Sequence, residues 1–175
     1  MIDIQTISIL IAAASVVIGV SDFILSSRYA REERRRELET RQAQLFMQIF
    51  DSFHHPEFFD KYTSFLTWHW DDYKDFMNRY GPKNPKAWYG MGSIAAFFEG
   101  IGVLVHEKLI DVDLVAELMA RHVLLFWERI RPISEGMRKQ FKMPDIDMWL
   151  EYLYNEIKPI VEKQRQELNA RSRMT

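Results

Sequence analysis

The sequence lacks several features that point to known classes of chemistry, and cysteine is the first of them. Without cysteine the chain forms no disulfides, and it offers neither thiolate zinc ligands nor a cysteine nucleophile. The net charge of -2 provides no overall positive field, so nucleic acid is not a predicted partner. No segment alternates polar and β-branched residues over a strand length, and no Asn-Gly or Asp-Gly pair marks a hairpin. Apolar residues recur at helical spacing instead, which predicts an all-α fold.

The chain also lacks the short motifs on which many enzymes depend. Ser93 follows Gly-Met-Gly, but the Gly-x-Ser-x-Gly pattern of a nucleophile elbow is missing, so no hydrolase is predicted. Neither His-Glu-x-x-His nor Glu-x-x-His occurs, which removes the common zinc-protease and di-iron patterns. The Gly-Met-Gly and Gly-Ile-Gly segments lie in apolar helical sequence and do not form a phosphate loop. We therefore predict no catalytic residue and no cofactor.

The most informative feature that is present is an apolar run near the N-terminus. From Ile4 to Leu25 the polar groups are small hydroxyls, one Gln and Asp22. A helix of about twenty such residues spans a hydrocarbon layer about 30 Å thick. The leader carries Asp3 and no basic residue, and arginines follow the run at once: Arg28, Arg31, Arg34, Arg35, Arg36 and Arg41. This asymmetry predicts a single-pass protein of the cell membrane, with its N-terminus outside and its C-terminal domain in the cytoplasm.

A cleavable signal peptide is the alternative interpretation of this run. Signal peptides have a basic leader and a shorter apolar core, whereas this leader is acidic and the run is longer. We assign 1–27 to a transmembrane anchor, 28–53 to an Arg/Glu-rich stalk helix, 54–162 to a cytosolic helical domain and 163–175 to a polar tail. Asp22 is expected to reach Arg28 or to pair with a basic residue of another membrane subunit. The arginines are expected to place the chain at the lipid bilayer.

Prolines and capping residues divide the chain into helices. The segments expected to be helical are 28–53, 56–80, 85–109, 111–130, 134–141 and a last one that opens at Pro144. Together they predict a single transmembrane helix that continues into the stalk and a cytosolic bundle of four to five helices. Asp111 or Asp113 is expected to cap the fourth segment, and Pro132 to end or kink it. The tail is expected to fray from Lys163.

Small residues form a stripe in the segment 85–109. Gly92, Ala96 and Gly100 recur every four residues, so they share one helix face that another backbone can approach closely. The stripe predicts close packing inside the domain, and a groove for a partner is the alternative. Glu99, on the same side, is predicted to pair with a Lys, Arg, Trp or His side chain of another helix. A partner or ligand contact and a catalytic acid are the alternatives for Glu99.

Three histidines lie on or near the predicted apolar stripes. They are His69, His106 and His122, and His106 lies two helical turns beyond Glu99. With Glu99 they make a weak candidate for a metal site. A single histidine on an apolar face is more often a core residue, so no metal is predicted.

The segment FFEGIGVLVHEKLIDVDLVAEL, residues 97–118, carries a family resemblance. It resembles prokaryotic membrane-anchored, all-helical proteins of a "domain of unknown function" family. The resemblance implies an N-terminal span, an Arg/Glu-rich juxtamembrane helix and a helical domain. It implies no activity.

The leading functional prediction is a membrane-tethered interaction or accessory module without catalytic machinery. It binds another membrane or cytosolic protein, or a second copy of itself. The residues predicted to make this contact are Gly92, Ala96, Glu99, Gly100 and Gly102. The alternative is a membrane-bound enzyme, or a ligand or metal sensor, with a pocket around Glu99 and His106.

Overall fold

A computed structural model describes residues 4–172, although for residues 4–22 and Ile24 it describes the backbone alone. Within these residues every regular element is an α-helix, which confirms the predicted all-α class. The helices are α1 (Ile4–His54), α2 (Pro56–Leu66), α3 (Tyr73–Tyr80), α4 (Pro85–His106), α5 (Val112–Phe141) and α6 (Met148–Ser172). The chain divides into two compact units, Met1–Arg41 and Gln42–Thr175.

The first unit contains the polar part of α1. Exposed ion pairs at i,i+4 spacing line this part of the helix: Arg36 with Glu32 at 2.8 Å, Arg35 with Glu39 at 2.9 Å and Arg41 with Glu37 at 2.6 Å. Each such pair stabilises a helix by a few tenths of a kcal/mol. α1 ends at His54, close to the predicted end at 53.

The second unit is built around aromatic side chains. Phe46 and Phe53 of α1 are fully buried in it, and the Phe53 ring contacts the rings of Tyr62 on α2 and Phe98 on α4. α6 packs against both α4 and α5, while α2 packs against α4. α4 is therefore held between α2 and α6.

The single helix predicted over 56–80 is wrong, because 67–72 separate α2 from α3. Trp68 turns its carbonyl towards α5, where Arg129 donates a hydrogen bond to it from Nη2. The Asp72 carboxylate then accepts a 2.8 Å hydrogen bond from the Asp75 N–H and starts α3. A hydrogen bond to a residue sixty positions away has no signal in local periodicity.

Of the two effects predicted for Pro132, the helix end is wrong, because α5 continues through it to Phe141, and the kink stays a prediction. A proline inside a helix costs about 3 kcal/mol through its missing N–H and its ring clash. Ile130, Ile133 and Ser134 around it are fully buried. Burial of each isoleucine contributes about 1.5–3 kcal/mol, which offsets the cost of the proline.

Three other predicted boundaries move. α4 ends at His106 rather than 109, and α6 begins at Met148 rather than Pro144. α6 remains helical to Ser172, so the predicted fraying from Lys163 is not observed among the described residues. Asp111 caps α5 as expected, since its side chain accepts a 2.7 Å hydrogen bond from the Asp113 N–H.

Among the residues whose side chains the structure describes, one helix is long and apolar enough to cross a membrane. It is α4, and 39% of its most apolar stretch is buried within the protein. A core helix of a soluble protein meets the same criterion. The side chains of most of the predicted anchor lie outside the described residues, including that of Asp22.

Candidate functional site

Glu99 joins the middle of α4 to the beginning of α6. Its Oε1 accepts hydrogen bonds from the backbone N–H groups of Trp149 at 3.2 Å and Leu150 at 3.3 Å. These are the second and third residues of α6, whose N–H groups have no acceptor within their own helix. Glu99 thus caps α6 from another helix. The predicted side-chain partner for Glu99 is wrong, because its hydrogen-bond donors are backbone amides.

Asp147, the residue just before α6, does not cap this helix, because its side chain is hydrogen-bonded to α5 instead. Asp147 has a left-handed backbone with φ of 54°, and its Oδ2 accepts a hydrogen bond from the buried Ser134 hydroxyl on α5. The Arg138 guanidinium donates to the Ile146 carbonyl at 2.8 Å and pairs with Glu151 at 2.7 Å. This cluster ties α5 to the start of α6 and leaves the capping position to Glu99.

The two half-buried carboxyls of this cluster hold protons more tightly than ordinary carboxyls. Burial raises the pKa of Glu99, the Leu150 N–H acts against this rise, and the Asp147 charge adds to it. Burial also raises the pKa of Asp147, against the effects of the Ser134 hydroxyl and the Arg138 guanidinium. The cluster is a structural junction with titratable groups.

Gly102 lies where the backbones of α4 and α6 are in close contact. A Cβ at this position would stand 2.1 Å from the Trp149 carbonyl oxygen and 2.7 Å from its carbonyl carbon. Only a glycine allows the α6 backbone to approach this closely, and the approach brings Trp149 within reach of Glu99. Gly102 and Glu99 therefore serve the same contact between the two helices.

The stripe of small residues has a different environment. Gly92, Ala96 and Gly100 are exposed, and a Cβ at either glycine would meet no described atom within 4 Å. The predicted close packing inside the domain is wrong at these two glycines. Tyr89, 73% exposed, and Val103, 37% exposed, extend the stripe at its two ends. We call these five residues the α4 face.

The three histidines are not gathered into one site. His69 is exposed after α2, and its backbone contacts the Tyr80 hydroxyl. His106 is exposed, with its ring 4.6 Å from that of Trp149. The His122 ring lies 4.8 Å from Phe53, and burial lowers its pKa. No group of three or more potential metal ligands occurs among the residues that the structure describes.

The arginines that follow the predicted anchor are exposed where the structure describes them. Arg28, Arg31 and Arg34 form no ion pair within the described residues, whereas Arg35 and Arg36 pair with glutamates of α1. Their role at a membrane stays a prediction.

Sequence reasoning missed a groove between α2 and the N-terminal half of α4. Its volume is about 700 Å³, and we call it the Trp68 groove. The rings of Trp68 and Tyr80 stack in its wall, with centroids 4.3 Å apart and planes 4° from parallel. The only signal in the sequence was the density of aromatic residues around 68–89.

Residues 4–157 match the protein family described as Domain of unknown function (DUF4760). The chain belongs to this family. The predicted resemblance is thereby confirmed as far as the family goes. No curated protein and no solved structure matches the chain. The DUF4760 match extends from α1 into α6, so it includes the junction at Glu99, the α4 face and the Trp68 groove.

Proposed function

We propose that this DUF4760 protein is a membrane-tethered interaction module whose α4 face binds a helix of another protein or of a second copy. In this proposal 1–27 anchor the chain, 28–53 form the stalk and 54–162 form a cytosolic helical bundle. The observation that carries the proposal is the exposure of the small residues of α4.

The α4 face is uncharged along its whole length. Between Lys86 and His106 the one charged residue of α4 is Glu99, which is hydrogen-bonded to the start of α6. α4 is apolar enough for a membrane span, yet the protein buries only part of it. Removing apolar surface from water contributes about 25 cal/mol per Å², so covering this face by a partner is favourable.

The spacing of the small residues favours a helix as the occupant. Gly92, Ala96 and Gly100 lie along one i±4 row, which packs into the corresponding row of a second helix. With no Cβ at two of the three positions, the backbones can approach closely and gain dispersion contacts. Glu99 and Gly102 contribute indirectly, because they fix α4 against α6.

Single cysteines test the proposal, since the natural chain contains none. The full chain carrying Ala96→Cys is expressed in its native membranes, labelled with a maleimide-benzophenone and irradiated, with Asn155→Cys on the exposed side of α6 as the matched control. A crosslink at position 96 and none at position 155 is expected. An adduct of twice the chain mass identifies a second copy, and another mass identifies a different protein. The proposal is contradicted if the folded protein gives no adduct with a cysteine placed at position 92, 96 or 100.

The tether is tested by deleting residues 1–27. The arginines after the apolar run and the acidic leader support a cytosolic domain. The full chain is expected in the membrane fraction and the deletion variant in the soluble fraction. Asn155→Cys in the full chain should react with a membrane-impermeant maleimide only after the cytoplasmic side has been opened.

The alternative, an enzyme or sensor with a pocket at Glu99 and His106, is favoured by one observation. Burial raises the pKa of Glu99, and Glu99 accepts a hydrogen bond from the backbone N–H of Trp149, whose ring His106 contacts. If this alternative holds, Glu99→Gln abolishes metal or ligand uptake and leaves thermal stability nearly unchanged. If Glu99 acts only as the α6 cap, stability changes and nothing else does.

A further inference from the structure

The Trp68 groove combines a size and a surface that suit a small organic ligand. Its volume of about 700 Å³ lies within the range of about 300–1,000 Å³ that ligand pockets occupy. The stacked rings of Trp68 and Tyr80 form part of its wall, and the exposed ring of Tyr89 stands at its rim. Aromatic rings of a ligand pack favourably against such a surface.

The groove also has an excess of positive charge. Lys61 of α2 and Lys86 of α4 both line it, and Asp60 is the one acidic residue that does. Neither lysine forms an ion pair with any residue that the structure describes, so both ammonium groups are available to an anion. This local charge is opposite to the net charge of -2 of the whole chain.

The basic residues on the other side of Trp68 are already engaged. Arg79 pairs with Asp75 at 2.8 Å, and Arg129 donates to the Trp68 carbonyl while its guanidinium lies 4.9 Å from the Trp70 ring centroid. These arginines hold 67–72 in place. The lysines of the Trp68 groove have no comparable structural partner.

We propose that the Trp68 groove binds a small organic anion with a flat aromatic ring. The ring packs against Trp68, Tyr80 and Tyr89, and a phosphate or carboxylate group on it pairs with Lys61 and Lys86. Phosphate and carboxylate share the chemistry that the lysines recognise. The groove shares Tyr89 with the α4 face, and its other lining residues lie outside that face.

Gly90 provides a way to block the groove without disturbing the fold. It lines the groove, and a Cβ built on it meets no described atom within 4 Å. Gly90→Leu therefore places a side chain in open space and removes a glycine from a helix, so the variant should fold. Asn155→Leu is the control, since Asn155 is exposed on α6 and belongs neither to the groove nor to the α4 face.

The test is isothermal titration of the purified full chain in detergent with AMP, phenyl phosphate and indole-3-acetate. At least one of these is expected to bind saturably, and its uncharged counterpart (adenosine, phenol or indole-3-ethanol) and inorganic phosphate should bind at least tenfold more weakly. Gly90→Leu should weaken binding at least tenfold, and Asn155→Leu should leave it unchanged.

The charge requirement has its own control pair. The double variant Lys61→Gln/Lys86→Gln should weaken binding about tenfold and abolish its salt dependence. Lys74→Gln, an exposed lysine of α3 outside the groove, should have no effect. The proposal is overturned if none of the three anions binds, if the uncharged counterparts bind equally well, or if Gly90→Leu binds like the natural protein.

Discussion

Alanine at Gly102 should destabilise the protein, and alanine at Gly100 should stabilise it. At Gly102 a Cβ would stand 2.1 Å from the Trp149 carbonyl oxygen, whereas at Gly100 it would meet no described atom within 4 Å. The two positions lie two residues apart in α4, so the gain in helix propensity, about 1 kcal/mol, is the same for both. The difference between the variants therefore reports on the α4–α6 contact alone.

The magnitudes follow from what each new methyl group meets. At Gly100 the propensity gain is the whole effect, and the free energy of unfolding should rise by about 0.5–1 kcal/mol. At Gly102 the start of α6 has to move by roughly 1 Å to restore van der Waals contact, because the clash is with backbone. Such overpacking costs about 1–3 kcal/mol.

The same movement weakens the cap on α6. The hydrogen bonds from Trp149 and Leu150 to Glu99 are already 3.2 and 3.3 Å long, so a displacement of this size breaks them. A lost cap costs about 1 kcal/mol. With the propensity gain included, Gly102→Ala should lower the free energy of unfolding by about 1–3 kcal/mol.

Urea unfolding of the full chain in mild detergent, followed by far-ultraviolet circular dichroism, measures both variants. They should lie about 1.5–4 kcal/mol apart, on opposite sides of the natural protein. If Gly102→Ala is as stable as the natural protein, α6 does not approach α4 at Trp149 and the capping role of Glu99 fails with it. If Gly100→Ala is strongly destabilised, the α4 face is covered within the domain.

Three further changes test other parts of the structure. Burial raises the pKa of Glu99, so the stability that its protonation contributes is full below the ordinary pKa of 4.5 and is lost as the pH rises through the folded pKa. The melting temperature of Glu99→Gln relative to that of the natural protein should therefore fall as the pH is lowered towards 4.5. A difference in melting temperature that does not change with pH would refute this. Arg129→Ala should lower the free energy of unfolding in urea by about 1–3 kcal/mol, because it leaves the Trp68 carbonyl without its hydrogen-bond donor. Arg131→Ala removes only an exposed ion pair with Glu135 and should lower it by less than about 0.5 kcal/mol. Deleting residues 1–27 should leave the cooperative unfolding of the second unit intact, because every described core residue lies at Phe46 or beyond.

Local signals in the sequence predicted those elements that local interactions determine. Asn84 with Pro85 starts α4 and Asp111 starts α5, and in both cases the capping side chain lies within three residues of the amide that it accepts from. Asp72 starts α3 in the same way, but the apolar spacing across 56–80 concealed it. Periodicity reports which residues share a face and gives no information about where a helix is interrupted by a distant partner such as Arg129.

The environment of Glu99 depended on information that periodicity does not contain. Its position among aromatic and glycine residues indicated an unusual carboxylate, and its pKa is indeed raised. Its partners lie fifty residues away and are backbone amides, which no side-chain pattern encodes. Spacing alone was also insufficient for the stripe of small residues. It placed Gly92 and Gly100 on one helix face, but only the fold shows that this face is open, whereas Gly102 is covered by α6.

The open glycines of α4 give the strongest argument that the helix serves something outside its own fold. Gly102 is required by the close approach of Trp149, but Gly90, Gly92 and Gly100 meet no described atom at the position of a Cβ. Alanine at these three positions would raise stability by about 0.5–1 kcal/mol each, a substantial part of the 5–15 kcal/mol that holds a domain together. Within the described structure, no contact offsets the stability that glycine forgoes relative to alanine at these three positions. An occupant of the α4 face and a ligand of the Trp68 groove would each offset it, because both need the space that a side chain would fill.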